Sequence, residues 1–249
     1  MYTRPKSDSE IDSMREGGRM LVTVLELLKR STTAGVSAKE LASVARNELA
    51  ALGGEPAFLG FESYPDVICI SINEEVQHSI PTGRVLNPGD IVNFDFGVKY
   101  RGLITDAGRM VGVGPISEAA RRLVSGTEEA LASAIKNIKA GVEINVLSGA
   151  IESVLLRHKL GIVRELVGHG VGHQLHEEPE IPNYQTHAQT PKLSAGMTIA
   201  IEPIATLGGE EIVTDDDGWT LVTKDGSWAA QTENTVLVTE TGSEILTTL

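Results

Sequence analysis

Two ten-residue segments of this sequence follow the same pattern. The first is Leu86-Asn-Pro-Gly89-Asp-Ile-Val-Asn-Phe-Asp95, and the second is Leu193-Ser-Ala-Gly196-Met-Thr-Ile-Ala-Ile-Glu202. In each segment a glycine lies three residues after the leucine, and a carboxylate lies six residues after the glycine. The carboxylate closes an apolar run of the kind that forms buried strands. The constant offset of 107 residues between the two segments indicates that the chain contains two similar halves.

Each half is predicted to consist of two helices followed by strands. Ser9, with Asp12 three residues later, is expected to begin the first helix, and Ser37-Ala-Lys-Glu40 is a capping box for the second. Ser117 opens a matching pair of helices in the second half. We therefore predict an α+β fold in one domain over residues 1–249. Its halves, about 9–114 and 115–240, would be related by a pseudo-twofold axis and would form one curved antiparallel sheet with the helices outside.

Further candidate metal ligands accompany the repeated segments. Asp106 and Glu233 each follow one copy, and His169 lies between the copies in a glycine-rich stretch. A single Asp in an apolar run is costly to bury without a partner, but four carboxylates in matched places suit hard or borderline divalent cations. Two such ions would balance the four negative charges, with His169 as a neutral ligand. This pattern points to metal-assisted hydrolysis.

The composition of the chain argues against several classes of protein. The net charge of −13 argues against a general nucleic-acid-binding protein, which would need a basic surface. No run approaches the roughly 18–20 apolar residues that a membrane span needs. Cys69 is the only cysteine, so an internal disulfide is impossible, and the polar N-terminus has no apolar signal core. These features favour the cytoplasm.

Several further motifs make the sequence resemble a known family. It is similar to the type I methionine aminopeptidases, of the short bacterial form with the pita-bread fold, from Glu10 to about Thr239. The matching segments are Val67-Ile-Cys-Ile-Ser-Ile-Asn-Glu-Glu-Val-Gln-His78-Ser-Ile-Pro81, Gly89-Asp-Ile-Val-Asn-Phe-Asp95, Thr105-Asp106, Gly168-His169-Gly170-Val-Gly, His176-Glu-Glu-Pro179, Ile201-Glu202-Pro203 and Gln231-Thr-Glu233-Asn-Thr235.

The resemblance implies a role for each candidate residue. Asp106 and Glu233 would bridge two metal ions, Asp95 would chelate one ion, and His169 and Glu202 would complete the other. The ions would be manganese, iron, cobalt or zinc, and a hydroxide bridging them would attack the scissile carbonyl. Three residues would have catalytic roles: Glu202 as proton acceptor, His78 near the scissile amide nitrogen, and His176 at the carbonyl oxygen. His173, despite its neighbours, is expected to be structural.

The resemblance also places five residues around a pocket for the N-terminal side chain: Phe61, Tyr64, Cys69, Leu175 and Trp219. An apolar slot lined by aromatic rings and sulfur suits a methionine thioether. Ordinary core packing is an alternative role for Phe61 and Cys69. Phe61 stands where tyrosine is usual in the family, and Leu175 where an aromatic residue is usual. Gln77 replaces a residue that is often small.

Two alternatives stay open at this stage. An Xaa-Pro aminopeptidase or prolidase of the same fold would share the five ligands, and a non-catalytic peptide-binding module would have lost some of them. The expected partners are the N-termini of peptides and nascent chains, for a protein that acts as a monomer and contacts neither membrane nor specific nucleic acid. The resemblance allows a transient contact with the ribosome. The acidic segment 208–218, however, does not support the basic docking mode that some relatives use.

Overall fold

The computed structural model describes all 249 residues. Four helices are present, and each half of the chain contributes two of them: α1 (Asp8–Ser31), α2 (Ala38–Leu52), α3 (Glu118–Ile135) and α4 (Ile144–Arg157). A short 3-10 turn spans Phe61–Ser63. None of these helices combines the length and the apolar composition that crossing a membrane requires.

Fifteen strands follow the helix pairs, five in the first half and ten in the second. Those of the first half are β1 (Glu55–Pro56), β2 (Cys69–Ile72), β3 (Glu75–Gln77), β4 (Ile91–Tyr100) and β5 (Leu103–Gly112). Those of the second half are β6 (Gly161–Ile162), β7 (Val167–Gly170), β8 (Glu177–Pro182), β9 (Thr198–Ile201), β10 (Ile204–Thr206), β11 (Ile212–Thr214), β12 (Leu221–Thr223), β13 (Ala229–Gln231), β14 (Asn234–Val238) and β15 (Ser243–Ile245).

All pairings between these strands are antiparallel, which confirms the predicted fold class. Hydrogen bonding divides the strands among four sheets, where the sequence suggested one. The largest has the order β15-β14-β9-β7-β8, and a second has the order β1-β4-β2 with β5 also paired to β4. The smaller sheets are β13-β10-β6 and β11-β12-β3. The last of these joins the two halves, because β3 belongs to the first and β12 to the second.

Two hydrophobic clusters of 23 residues each form most of the core. One lies between the first helix pair and strands β2, β4 and β5, and all its members fall within residues 20–113. The other packs α3 and α4 against β9 and β14, and Ile91 is its only member from the first half. This distribution supports the proposal of one domain with two similar halves, which stays a prediction.

The helix starts show how local sequence sets the element boundaries. The capping box at Ser37 is confirmed, since Ser37 Oγ accepts a hydrogen bond from Glu40 N and the Glu40 carboxylate accepts one from Ser37 N. Helix α1, however, is capped by Ser7 and not by Ser9, so the expected start was wrong by two residues. Glu10 stands three residues after Ser7 and completes the box, whereas Asp12 pairs with Arg15 at 2.8 Å.

This cap can be tested by two alanine substitutions. We expect Ser7→Ala to lower the free energy of unfolding by about 1 kcal/mol, because the Glu10 amide loses its acceptor. Ser9→Ala, two residues away on the exposed face, should change it by less than about 0.5 kcal/mol. Urea unfolding of both variants measures the difference, and an equal loss in the two would contradict the assignment of Ser7.

Candidate active site

One cavity of about 100 Å³ brings together every site residue that the sequence singled out. It is lined by 15 residues: Phe58, Phe61, Glu62, Tyr64, Cys69, Gln77, His78, Asp95, Asp106, His169, Leu175, His176, Glu202, Trp219 and Glu233. Phe58 and Glu62 were missed because they belong to none of the quoted motifs.

Alternation along β4 explains why Asp95 reaches the cavity. Its neighbours Phe94 and Phe96 are fully buried in the first hydrophobic cluster, so the Asp95 side chain lies on the opposite face. Asp106 on the adjacent β5 pairs with Gly97, two residues along β4 from Asp95. Such diagonal neighbours share one face of a sheet, which places the two carboxylates side by side.

Backbone pairing also positions the candidate ligands of the second half. The N–H of Glu233 donates to Gly108 O at 3.0 Å, and Gly108 is paired in register with Asp95. A side chain at position 108 would collide with the amide of Gln231 and displace the group that donates to Glu233. His169 lies on β7 opposite Ala200 of β9, and Glu202 directly follows β9.

The distances among these side chains suit metal coordination. One potential ligand atom from each of Asp106, His169 and Glu233 lies within 4.8 Å of the other two. His169 Nε2 is 3.5 Å from Glu202 Oε1. All five predicted ligands, including Asp95, are buried.

Several carboxylate oxygens in this cavity have no hydrogen-bond partner. They are Asp95 Oδ1, Asp106 Oδ1 and Glu233 Oε1. The other oxygen of two of these groups is held by an amide: Gln77 Nε2 donates to Asp95 Oδ2 at 3.1 Å, and Gln231 Nε2 donates to Glu233 Oε2 at 2.8 Å. Buried acceptors without donors are costly, and divalent cations would satisfy them. The residues present therefore fit a metal centre.

The electrostatics of the cavity agree with this donor set. Burial raises the pKa of Asp95 to about 7. Burial, together with the neighbouring carboxylates, raises the pKa values of Asp106, Glu202 and Glu233 well above their ordinary range. Four such groups cannot all be charged in one dry space without counter-ions. Burial also lowers the pKa of His169 to about 3, which keeps its imidazole neutral, as a metal ligand must be.

Two further histidines flank the predicted ligands. His78 follows β3 directly and has a φ of 59°, in the left-handed region that non-glycine residues seldom adopt. The His176 ring stands edge-on to that of His169, with 4.5 Å between centroids, and edge-on to that of Phe61 at 5.2 Å. Burial lowers the pKa of His78 to about 4 and also lowers that of His176. Both rings are therefore neutral near pH 7 and can each donate one N–H.

The predicted pocket residues form an apolar cluster beside the ligands. Tyr64 and Trp219 contact edge to face at 5.2 Å, and the Tyr64 hydroxyl donates to the carbonyls of Ile68 and Ser79. Trp219 reaches the cavity because its hairpin, β11-β12, pairs with β3. The members of this cluster are Phe58, Tyr64, Cys69, Ile104, Val171, Leu175 and Ala200, with Phe61 and Trp219 packed against it.

Comparison with known proteins places the chain in a family. The sequence profile of Metallopeptidase family M24 matches residues 12–240. The fold is shared with the prolidase from Pyrococcus furiosus, which has a TM-score of 0.81 and 24% identity over 98% of this chain and 65% of that one. The fold and the site thus define a metallopeptidase, and the chain belongs to family M24.

Relatives of nearly equal length show to which group within family M24 the chain belongs. A methionine aminopeptidase of Clostridium perfringens is 40% identical over 97% of both chains, and methionine aminopeptidase 1 of Bacillus subtilis is 40% identical over 97% of this chain and 98% of its own. The crystal structure of a methionine aminopeptidase from Thermotoga maritima has a TM-score of 0.97 at 40% identity and covers 99% of this chain and 100% of its own. Within M24, this chain belongs to the methionine aminopeptidases.

The raised pKa values predict how the metal-free protein responds to pH. Carboxyl groups in the unfolded chain titrate near pH 4, whereas Asp95 titrates at about 7 in the folded one. Between these values the folded state binds more protons, so the free energy of unfolding falls as the pH rises. We expect the melting temperature of the metal-free protein to drop between about pH 5 and about pH 8, and excess Mn²⁺ to remove most of that drop.

Thermal unfolding at both pH values, with and without Mn²⁺, measures this effect. Asp106→Asn is the matched variant, since it removes one of the mutually repelling carboxylates with little change in volume and should flatten the slope. A metal-free wild type with equal melting temperatures at the two pH values would contradict the assignment of raised pKa values.

Proposed function

We propose that this hydrolase releases N-terminal methionine from peptides and nascent chains whose second residue is small. The observation that carries the proposal is a single cavity in which an apolar slot opens directly onto the five candidate ligands. Methionine would fill the slot formed by Phe61, Tyr64, Cys69, Leu175 and Trp219. A charged first residue would be buried there without a partner, which is unfavourable.

Five residues would hold two divalent ions: Asp95, Asp106, His169, Glu202 and Glu233. When bound, the ions would supply a hydroxide nucleophile at neutral pH and Lewis-acid stabilisation of the carbonyl oxygen. The ligand set combines carboxylates and one imidazole, so manganese, iron, cobalt and zinc all suit it. The choice among these ions is set by supply as much as by the site.

The remaining polar groups would orient the substrate and handle protons. Neutral His176 would donate its N–H to the scissile carbonyl oxygen as that oxygen gains charge, which is usually the largest single stabilisation in such reactions. Neutral His78 would stand beside the scissile amide nitrogen. The Glu202 carboxylate would accept a proton from the nucleophile and pass it to the leaving amine as the C–N bond breaks.

The finer statements on partners and location belong to the same proposal. The protein would act as a monomer, and it would act in the cytoplasm, a reducing compartment that suits its single free cysteine, Cys69. Any ribosome contact would be transient. The acidic hairpin tip, where the carboxylate of Asp217 accepts hydrogen bonds from the backbone of Trp219 and Thr220, offers no basic surface for it.

The substrate assignment is tested by three tripeptides, Met-Ala-Ser, Leu-Ala-Ser and Ala-Pro-Ala. We expect the highest kcat/KM on Met-Ala-Ser. The kcat/KM on Met-Ala-Ser should exceed that on Leu-Ala-Ser only modestly, because small differences in fit within an apolar pocket are worth only about 1–3 kcal/mol. Thorough chelation should abolish release, and an added divalent ion should restore it. A preference for the proline peptide would overturn the methionine assignment in favour of an Xaa-Pro peptidase, and the absence of turnover on all three peptides by metal-loaded protein would favour a binding module.

The separate roles of histidines and carboxylates are tested by alanine variants. We expect His78→Ala and His176→Ala to lower kcat by about 100-fold or more, with nearly full metal content. Asp106→Ala and Glu233→Ala should instead lose metal, because each is proposed to bridge both ions. Metal analysis alongside steady-state kinetics separates the two classes. If His176→Ala emptied the site of metal, the role proposed for His176 would be wrong.

A further inference from the structure

The loop that carries Leu175 and His176 contains neither helix nor strand. It spans residues 171–176, between β7 and β8. Its first part is fixed by the backbone, since Val171 N donates to Thr198 O and Ile104 N donates to Gly172 O. In its middle, Gly172 N donates to Gln174 O at 3.0 Å, but the amides of His173 and Gln174 donate to a side chain, the carboxylate of Glu177, at 2.7 and 3.0 Å. One carboxylate oxygen, Glu177 Oε1, therefore holds the turn immediately before Leu175.

The Glu177 carboxylate is buried, with the His173 Nδ1 atom 3.7 Å from Oε1 and a lysine ammonium beside the other oxygen. Its other oxygen, Oε2, lies 3.3 Å from Lys6 Nζ, and the two side chains are 1% and 0% exposed. Lys6 Nζ also donates to Thr3 Oγ1 at 2.8 Å and to Arg4 O at 3.2 Å, which uses all three of its N–H groups. Removing one member of such a buried pair leaves the other charged and unpaired, which is strongly unfavourable.

The Lys6 side chain packs directly on the loop backbone. A Cβ placed on Gly172 would lie 2.5 Å from Lys6 Cε, and Gly172 has a φ of 147°, so the loop approaches Lys6 as closely as only glycine allows. The segment that carries Lys6 is itself anchored at both ends. Lys6 N donates to Gly196 O at 2.8 Å, and Thr3 N donates to Glu178 O at 2.6 Å.

We propose that Lys6 is a positioning residue for the reaction, which acts by neutralising the Glu177 carboxylate that holds the 171–176 loop. Through that carboxylate it fixes where His176 meets the carbonyl oxygen and where Leu175 closes the slot. This inference rests on the proposed function for its effect on catalysis. It needs no metal ligand to move, because the predicted ligands lie on or beside strands outside this loop.

The first test is Lys6→Met, which keeps the apolar stem and removes the ammonium. We expect kcat on Met-Ala-Ser to fall about 100-fold, the scale that a displacement of a catalytic group by about 1 Å produces. Metal content should stay at the wild-type level. The matched control is Leu28→Ala, a fully buried residue of α1 in the first hydrophobic cluster. It should lower the melting temperature and leave kcat unchanged at temperatures where the protein is folded.

Two double variants separate an effect on loop position from an effect on stability. They also test the proposal if the single variant Lys6→Met does not fold. Both Lys6→Met/Glu177→Gln and Lys6→Met/Glu177→Leu remove the buried charges, but only the first keeps an oxygen that accepts from the His173 and Gln174 amides. We expect kcat near the wild-type value for the Gln variant and a loss of about 100-fold for the Leu variant. Equal kcat values in the two double variants would overturn the proposal.

Amide hydrogen exchange at His173 and Gln174 tests the loop without reference to activity. We expect fast exchange in Lys6→Met/Glu177→Leu and slow exchange in the wild type and in Lys6→Met/Glu177→Gln. Equal exchange in all three proteins would show that the carboxylate does not hold the loop. If metal-loaded wild type released no methionine, the proposed function would fail, while these exchange rates would still decide whether the Glu177 side chain holds the loop.

Discussion

The burial of four carboxylates in one cavity is the constraint on which the rest of this structure depends. Asp95, Asp106, Glu202 and Glu233 are each at most 8% exposed, and the charges of Asp95 and Asp106 raise the pKa values of both Glu202 and Glu233. Asp95 and Asp106 lie within the paired strands β4 and β5, and Glu202 and Glu233 directly adjoin the paired strands β9 and β14. The fold therefore holds four carboxylates close together in a buried cavity, where only bound cations or protons can neutralise their charge.

The two halves of the chain share this constraint. Asp95 and Asp106 come from the first half, and His169, Glu202 and Glu233 come from the second. Gly108 is one point of contact, since it pairs with Asp95 on one side and with the backbone of Glu233 on the other. Because neither half holds the complete set of candidate ligands, the cavity depends on the backbone pairing that joins the two halves.

The sequence predicts most of the site because its signals are local. A carboxylate within an apolar run, such as Asp95, can be recognised from its neighbours in the sequence. His78 and His176 were predicted from the family resemblance, which rests on several motifs in a fixed order. The missed features depend on tertiary contacts. The amide of Gln77 reaches Asp95, 18 residues away, and Lys6 pairs with Glu177, 171 residues away, without any pattern linking them. The start of α1 was misplaced because Ser7 and Ser9 offer similar local signals, and only the Glu10 contact distinguishes them.

The cavity is lined partly by residues on paired strands and partly by residues on an irregular loop. Cys69 of the slot is paired in register with Asp95, so one wall of the slot and one candidate ligand share a strand pair and cannot shift independently. Leu175 and His176 are adjacent on a loop without regular structure, which side-chain contacts hold in place. One wall of the slot therefore lies on the same loop as the histidine proposed to stabilise the carbonyl oxygen. The roles proposed for Leu175 and His176 depend on this one loop, whereas the candidate ligands Asp95 and Asp106 lie within the paired strands β4 and β5.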